Sequence, residues 1–428
     1  MRISTVTMFD QSVASMNRQQ GDFLKVGQQI ATGRRVVNPS DDPQAASRAV
    51  GVSQAQAVTQ QYADARVSAR NSLSQSESVL NSVSDAVTSA KTLLVQASSD
   101  TLSDADRQSV ASELRGIYET MIGQANATDG NGRYLFGGYK DDSPPFARTT
   151  DGGVSGTQYN GDANVRAQRI DASREMPVTD NGAAIFQSVA SGAGYVARAE
   201  REGAIATDIS LGTQEGYLRN EGSVSFSGPS RIDPNDPDFG SIFTLQFSED
   251  AGTMKVSAID ADDNIVLTEQ DYESGVVLSF GGISITLEGQ PVAGDQIQLR
   301  PADADEANQD LFKSLKDAID VLELDQQGTA ENRAHYRNTL SSVMREFDNS
   351  LDNVLTVRAS VGARLNELDV VDAVGGNRSL NYEQTMSDLV DLDYAEAISD
   401  YSLRQVGLQA SHKAFVDIKG MSLFDYLR

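Results

Sequence analysis

Cysteine is absent from this 428-residue sequence, and histidine occurs only at His335 and His412, far apart in the chain. Disulfides and thiolate chemistry are excluded, and a histidine metal site is not expected. The first ten residues lack an apolar h-region, and no later run approaches the roughly 18 apolar residues needed to cross a bilayer, so neither a cleavable signal nor a membrane anchor is expected. By itself this reads as cytoplasmic, although it leaves open an export route that uses no cleavable signal. Basic residues are scarce: 35 Lys and Arg stand against 61 Asp and Glu, a formal net charge of -26, which cannot build the broad basic footprint a nucleic acid requires. The Gly-Gly pairs at 137 and 152 lack the lysine of a phosphate-binding loop, and no Ser/His/Asp set can be assembled. No catalytic residue, cofactor site or metal site is expected, and the chain does not read as an enzyme.

What is present is heptad-like spacing. From Val6 the apolar positions fall at Val6, Phe9, Val13 and Met16, then Phe23 and Ile30, with Gln20 and Gly27 breaking the seam. Residues 44 to 99 contain no proline and one glycine, and from Ala69 a strict stripe runs through Leu73, Ser76, Leu80, Val83, Val87, Ala90, Leu94 and Ala97. At 1.5 Å per residue such a helix is about 80 Å long, against a diameter of about 55 Å for a compact ball of this size, so a rod is expected at least in part. Ser103 should cap a further helix carrying Val110, Leu114, Ile117, Met121 and Ala125 on one face. Near the other end, Tyr336, Leu340, Val343, Phe347, Ser350, Val354, Val357, Val361, Arg364 and Leu368 form a matching seam. After an expected break at Val374-Gly-Gly-Asn377, Tyr394, Tyr401, Leu408 and Phe415 recur every seven residues, with Ile398 a turn beyond Tyr394. Both ends therefore read as unpaired coiled-coil segments.

Between the helical parts, Asp129-Gly-Asn-Gly132 is turn chemistry and Tyr134-Leu-Phe136 reads as a short strand closed by Gly137-Gly138. Strand signals then recur at Phe243–Phe247, Lys255–Ile259, Val276–Phe280, Ile283–Leu287 and Gln296–Leu299. From Glu200 to Asp310 there are 22 acidic and five basic residues, a local balance of -17, which predicts a solvent-facing insert. Asp260-Ala-Asp-Asp-Asn264 with Asp271 spaces oxygens somewhat as a calcium loop does, but Ile265 stands where the sharp turn needs glycine, and a polar hairpin loop is the plainer reading. Asp388, Asp391 and Asp393 lie near a helix start, where acids meet the macrodipole favourably.

The seams are organised around a joint. Gly33 can close one helix, Asn38-Pro39 cannot continue it, Asp41 with Gln44 offers a capping box for the next, and Pro43 fits its first turn, while Asp42 and the neighbouring arginines supply further contacts at the joint. The expected fold class is mainly α with inserted β: a long antiparallel helical-bundle rod formed by the N- and C-terminal parts, plus a central antiparallel β domain. The expected domains are a terminal coiled-coil assembly domain over 1–38 and 377–428, a helical-bundle rod over 39–137 and 303–376, and an inserted acidic β domain over 138–302.

Several stretches resemble one family. Met1-Arg-Ile-Ser-Thr5, Gln29-Ile-Ala-Thr-Gly33, Pro39-Ser-Asp-Asp-Pro43, Tyr134-Leu-Phe-Gly-Gly138, Tyr159-Asn-Gly-Asp162 with Arg166, the run Val354 to Asn366, Asp393-Tyr-Ala-Glu-Ala397 and Ser422 to Leu427 are similar to the flagellar hook-filament junction family of the flagellin superfamily. The resemblance spans nearly the whole chain in order; the region from about 200 to 301 departs from it. It implies export through the flagellar type III apparatus, a secreted, extracellular location in the flagellum, and a homo-oligomeric ring at the distal hook. It implies as partners the first hook-associated protein (hook-associated protein 1), flagellin and a flagellar export chaperone, with neither nucleic acid nor membrane among them. A flagellin-type filament subunit, or a secreted oligomeric binding module or adhesin, remains the alternative.

Overall fold

The computed structural model describes residues 5–99, 102–151, 154–189, 194–202, 217–301, 309–324 and 329–426. Its helices are α1 (Thr5–Thr32), α2 (Pro43–Ala97), α3 (Asp104–Ala125), the short α4 (Gly182–Phe186), α5 (Leu311–Glu323), α6 (Ala330–Val390) and α7 (Tyr394–Tyr426); between α3 and α5 lie the short strands β1 (Phe146–Asp151), β2 (Val154–Tyr159), β3 (Ala167–Asp171), β4 (Arg174–Pro177), β6 (Glu200–Glu202) and β7 (Tyr217–Arg219), with the strands of two larger sheets. Long helices at both ends and a central antiparallel β domain are thus the observed architecture. The chain divides into two compact units, one of Met1–Arg66, Ile170–Ala172 and Asp369–Arg428, the other of Val67–Arg169 and Ser173–Leu368. The boundaries of these units fall within α2 and α6, and the β region apart from Ile170–Ala172 lies in the second unit.

In the second unit the α2 stripe is buried as its spacing predicts, with Ala69, Leu73, Ser76, Leu80, Val83, Val87, Ala90, Leu94 and Ala97 at most 1% exposed. The α6 seam meets it from the other side. Tyr336 Oη donates to the Ala97 carbonyl at 2.6 Å, and Arg358 forks onto Glu77 Oε1 at 2.8 and 3.0 Å, so the two helices run antiparallel. Small seam residues let the helices approach closely. Each fully buried Leu, Val or Phe contributes about 1.5 to 3 kcal/mol, whereas an exposed ion pair is worth about 0 to 1, so packing dominates. Helix α3 begins in a capping box between Ser103 and Asp106 and packs on α5, whose Leu311, Leu315, Ile319 and Leu322 are buried.

The β domain contains a five-stranded antiparallel sheet and a three-stranded one. Strands β5 (Tyr195–Arg198), β9 (Phe243–Asp250), β10 (Thr253–Asp260), β11 (Ile265–Asp271) and β14 (Gln296–Pro301) form the first, in the order β11-β10-β9-β14-β5. Strands β8 (Ser225–Arg231), β12 (Val276–Phe280) and β13 (Ile283–Glu288) form the second, in the order β12-β13-β8. Alternate residues point inward, Phe243, Leu245 and Phe247 on β9 and Ile283, Ile285 and Leu287 on β13, as a period of two demands. The free edge of β8 is met by a helix: Asn338 of α6 accepts the Phe226 amide and donates to the Val224 carbonyl, both at 2.9 Å, replacing a missing strand.

Three local expectations are corrected. Tyr134–Phe136 is not a strand: Tyr134 makes one isolated bridge to Thr128, and Leu135 and Phe136 turn into the core because Gly137 and Gly138 reverse the chain before a ladder can form. The Val374–Asn377 glycines do not break α6, which continues to Val390. Gly375 instead makes room for a side chain: a β-carbon there would lie 2.6 Å from Nη2 of Arg66, a buried residue that pairs with Asp372 and donates to the Ile170 carbonyl at 3.0 Å. The turn cap at the joint is Asp42 rather than Asp41.

Candidate assembly interface

Helix α1 stops where Gly33 takes φ +70°, a left-handed conformation that costs glycine little. Two residues on, the Arg35 amide donates to the Val390 carbonyl at 2.7 Å, and the Leu392 amide donates back to Gly33 at 3.0 Å. The joint after α1 is therefore laced to a second joint, Asp391–Asp393, between α6 and α7. Asp42 caps α2 by accepting the Ala45 amide at 3.0 Å, with Pro43 as the first helical residue. Asp41 faces back, accepting the Asn38 amide at 2.8 Å and the Val37 amide at 3.2 Å and pairing with Lys25 at 3.0 Å. These backbone donors, Asn38 first for Asp41 and Ala45 first for Asp42, hold both carboxyls below the ordinary carboxylate range. Pro39 is exposed in the turn. Asp393 caps α7 through the Ala395 amide at 2.9 Å, while Asp388 lies in the last turn of α6 and Asp391 in the link.

The two terminal seams, expected to be unpaired, meet each other. Helices α1 and α7 pack antiparallel: Asp22 pairs with Arg404 at 3.0 Å, Gln19 meets Ser411, and the rings of Phe23 and Tyr401 lie 4.7 Å apart. Gly27, a break in the spacing, is where the Tyr401 ring passes, 3.8 Å from the place a β-carbon would take. The best-buried positions are Val26 and Ala397, at 5% and 7% exposure, one residue away from the expected Gly27 and Ile398. Val13, Met16, Phe23, Ile30, Tyr401, Leu408 and Phe415 are half-buried. Tyr394 is 52% exposed and Ile398 55%, and Leu24, Leu403, Val406 and Val416 are exposed still further. The side chains of Val6 and Phe9, of the first residues and of the Ser422–Leu427 ending lie outside the described residues.

Two internal motifs prove to be a single knot. The Tyr159 hydroxyl sits 2.9 Å from the carbonyls of both Phe136 and Asp162, and burial, then the Asp162 charge, pushes its pKa up to about 12. Gly138, at φ +68°, lies against Asp162, whose carboxylate accepts the Tyr139 amide at 3.1 Å and the Asn164 amide at 2.8 Å. Arg166 pairs with Asp141 at 2.8 Å. In the Val354–Asn366 run, Arg358 reaches Glu77 and Arg364 reaches Asp180 at 2.7 Å. The Asp260 loop is a hairpin turn whose carboxylate is filled by donors from Asp262 and Asn264. Among the described residues no helix is long and apolar enough to cross a membrane.

Comparison with known proteins follows the same lines. Residues 3–141 match the family described as the bacterial flagellin N-terminal helical region. The flagellar hook-associated protein 3 of Salmonella typhimurium is 32% identical over 428 residues, all of both chains, and that of Escherichia coli is 34% identical over 99% of each. Among solved structures, FlgL of Xanthomonas campestris aligns at 25% identity with a TM-score of 0.65, covering 78% of this chain and 99% of its own. A hook-associated protein 3 from Legionella pneumophila shares the fold with a TM-score of 0.68 at 23% identity, over 79% and 98% of the two chains. With full-length identity above 30% to both of these relatives, the chain belongs to the flagellar hook-associated protein 3 family.

Proposed function

We propose that this chain is a non-enzymatic adaptor at the junction of hook and filament, assembling as a ring through its terminal helices. Its neighbours are the first hook-associated protein on the hook side and flagellin on the filament side. A flagellar chaperone holds the C-terminal segment before export through the type III apparatus, and the mature protein is extracellular. The observation that carries this reading is the apolar surface left on the α1–α7 pair. Leu24, Ile398, Leu403, Val406 and Val416 are each more than half exposed after the two helices have packed on each other. Water-facing apolar side chains at helical spacing stabilise nothing within one chain, and burying them against further copies supplies a driving force of about 25 cal/mol per Å².

The test uses positions whose alteration leaves the single chain intact. Leu403→Asp and Val406→Asp change residues 72% and 64% exposed, so purified protein should keep its wild-type melting transition. Cells carrying the double substitution should export the protein yet form few or no attached filaments. Normal filaments and motility would overturn the reading.

A further inference from the structure

We propose that the cavity bounded by β5, α5 and α6 is a binding site for a small primary ammonium cation, with Asp317 as its counter-ion. This goes beyond the assembly function. The cavity measures about 110 Å³, somewhat below the ~150 Å³ of an engineered cavity that admits benzene, which suits a cation of a few heavy atoms. Its helical wall carries three acids. Asp320 is held by Lys316 and Glu346 by the Ser314 hydroxyl, whereas Asp317 has neither an ion pair nor a hydrogen bond among the described residues. Thr339 and Ser342 of α6 line the same cavity, offering hydroxyl oxygens as further acceptors for the three donors of an ammonium group. Val196, Val321 and Leu324 supply apolar surface for an alkyl stem.

Charge selects the class of ligand. Arg198 is already engaged, Lys313 is exposed one turn before Asp317, and burial lowers the His335 imidazole to about 4 and so keeps it neutral, while Glu200 adds a further acid to the lining, so the cavity has no free buried cation to hold an anion. Calcium and magnesium want six or more oxygens, and no group of three carboxylates or histidines suited to a metal occurs among the described residues. Unliganded, Asp317 is protonated below about pH 7: burial pushes its carboxyl up to about 7, with Lys313 and Arg198 pulling down and Glu346 and Asp320 pushing up. An ammonium ion favours the carboxylate, so its binding displaces that proton.

The experiment is calorimetric titration of the full chain with ethylammonium chloride, in buffers of different ionisation heat, at about pH 6 and about pH 8. Saturable one-site binding is expected, releasing most of a proton at the lower pH and little at the higher. Asp317→Asn should weaken it at least tenfold, about 1.4 kcal/mol, with an unchanged near-ultraviolet spectrum. Leu324→Trp, which places a bulkier side chain on the cavity lining and leaves Asp317 in place, should abolish it. Lys313→Met should tighten it by removing the competing cation. Capped lysine serves as a second probe: tighter binding than ethylammonium assigns the site to a protein side chain, weaker binding to a free amine. Absence of saturable binding, binding that appears only in Lys313→Met, or equal binding by Asp317→Asn would overturn the proposal.

Discussion

The guanidinium of Arg66 occupies the space that a β-carbon on Gly375 would need, only 2.6 Å from that point. Arg66 is 3% exposed and tied to Asp372 and to the Ile170 carbonyl, so it cannot swing away freely. Gly376, the neighbour of Gly375, has open space where a β-carbon would lie, with no atom within 4 Å. Alanine in a helix gains about 1 kcal/mol over glycine, and overpacking costs about 1 to 3. Gly376→Ala should therefore raise the melting temperature, and Gly375→Ala should lower it. Equal effects at the two positions would mean that Arg66 does not hold its place.

Asn338 is 6% exposed and satisfies two backbone groups, one in β8 and one just before it, with one side chain. Asn338→Leu keeps the branched shape of the side chain and leaves the Phe226 amide and Val224 carbonyl unpaired, at about 1 to 3 kcal/mol each. Amide exchange at Phe226 should accelerate by orders of magnitude while the α2 stripe stays protected. Unaltered exchange at Phe226 would show that another group covers that edge.

Asp317 and His335 titrate against each other. The folded-state pKa of Asp317 is raised from 3.8 to about 7, by burial first, so its contribution to stability is present at low pH and is lost as pH rises from about 4 to about 7. That of His335 is lowered from 6.5 to about 4 by burial and then by Arg219, so its contribution is present above about 6.5 and is lost as pH falls towards 4. Between about 4 and 6.5 the two slopes, each at most about 1.4 kcal/mol per pH unit, oppose each other. In urea unfolding across that window, the pH profile of the wild type should lie between those of the two single variants. His335→Gln should become more stable as pH falls, and Asp317→Asn less stable; matching profiles for the two variants would refute the opposition.

Exposure separates the terminal pair from the second unit's core. Val13, Met16, Phe23, Ile30 and Leu408 are half-buried, whereas Leu73, Leu80 and Leu94 are fully buried. Local opening follows that contrast, since few buried contacts hold the α1 and α7 backbone. In dilute monomer, limited proteolysis should remove residues 1 to about 38 and the last 40 or so first, and amides of α1 should exchange well before those of α2. Equal protection would contradict it.

Much of this protein was legible as periodicity. A stripe such as Ala69 to Ala97 is buried because a helix repeats every 3.6 residues, and Phe243, Leu245 and Phe247 are buried because a strand repeats every two; neither needs knowledge of the partner. The turn at Gly33, the first-turn Pro43 and the Ser103 cap were local too, since backbone dihedrals and nearby amides decide them. The tertiary structure alone decided what those surfaces meet. Gly375-Gly376 looked like a stop because glycine weakens a helix locally, yet the space beside a buried arginine on another helix explains Gly375. Gly27 looked like a flaw in a seam until the Tyr401 ring, from the opposite end of the chain, was found beside it. Asn338 gave no local signal, because the strand edge it completes lies more than a hundred residues away. Spacing along a chain determines which side chains share a face; which face lies opposite depends on the path of the whole backbone.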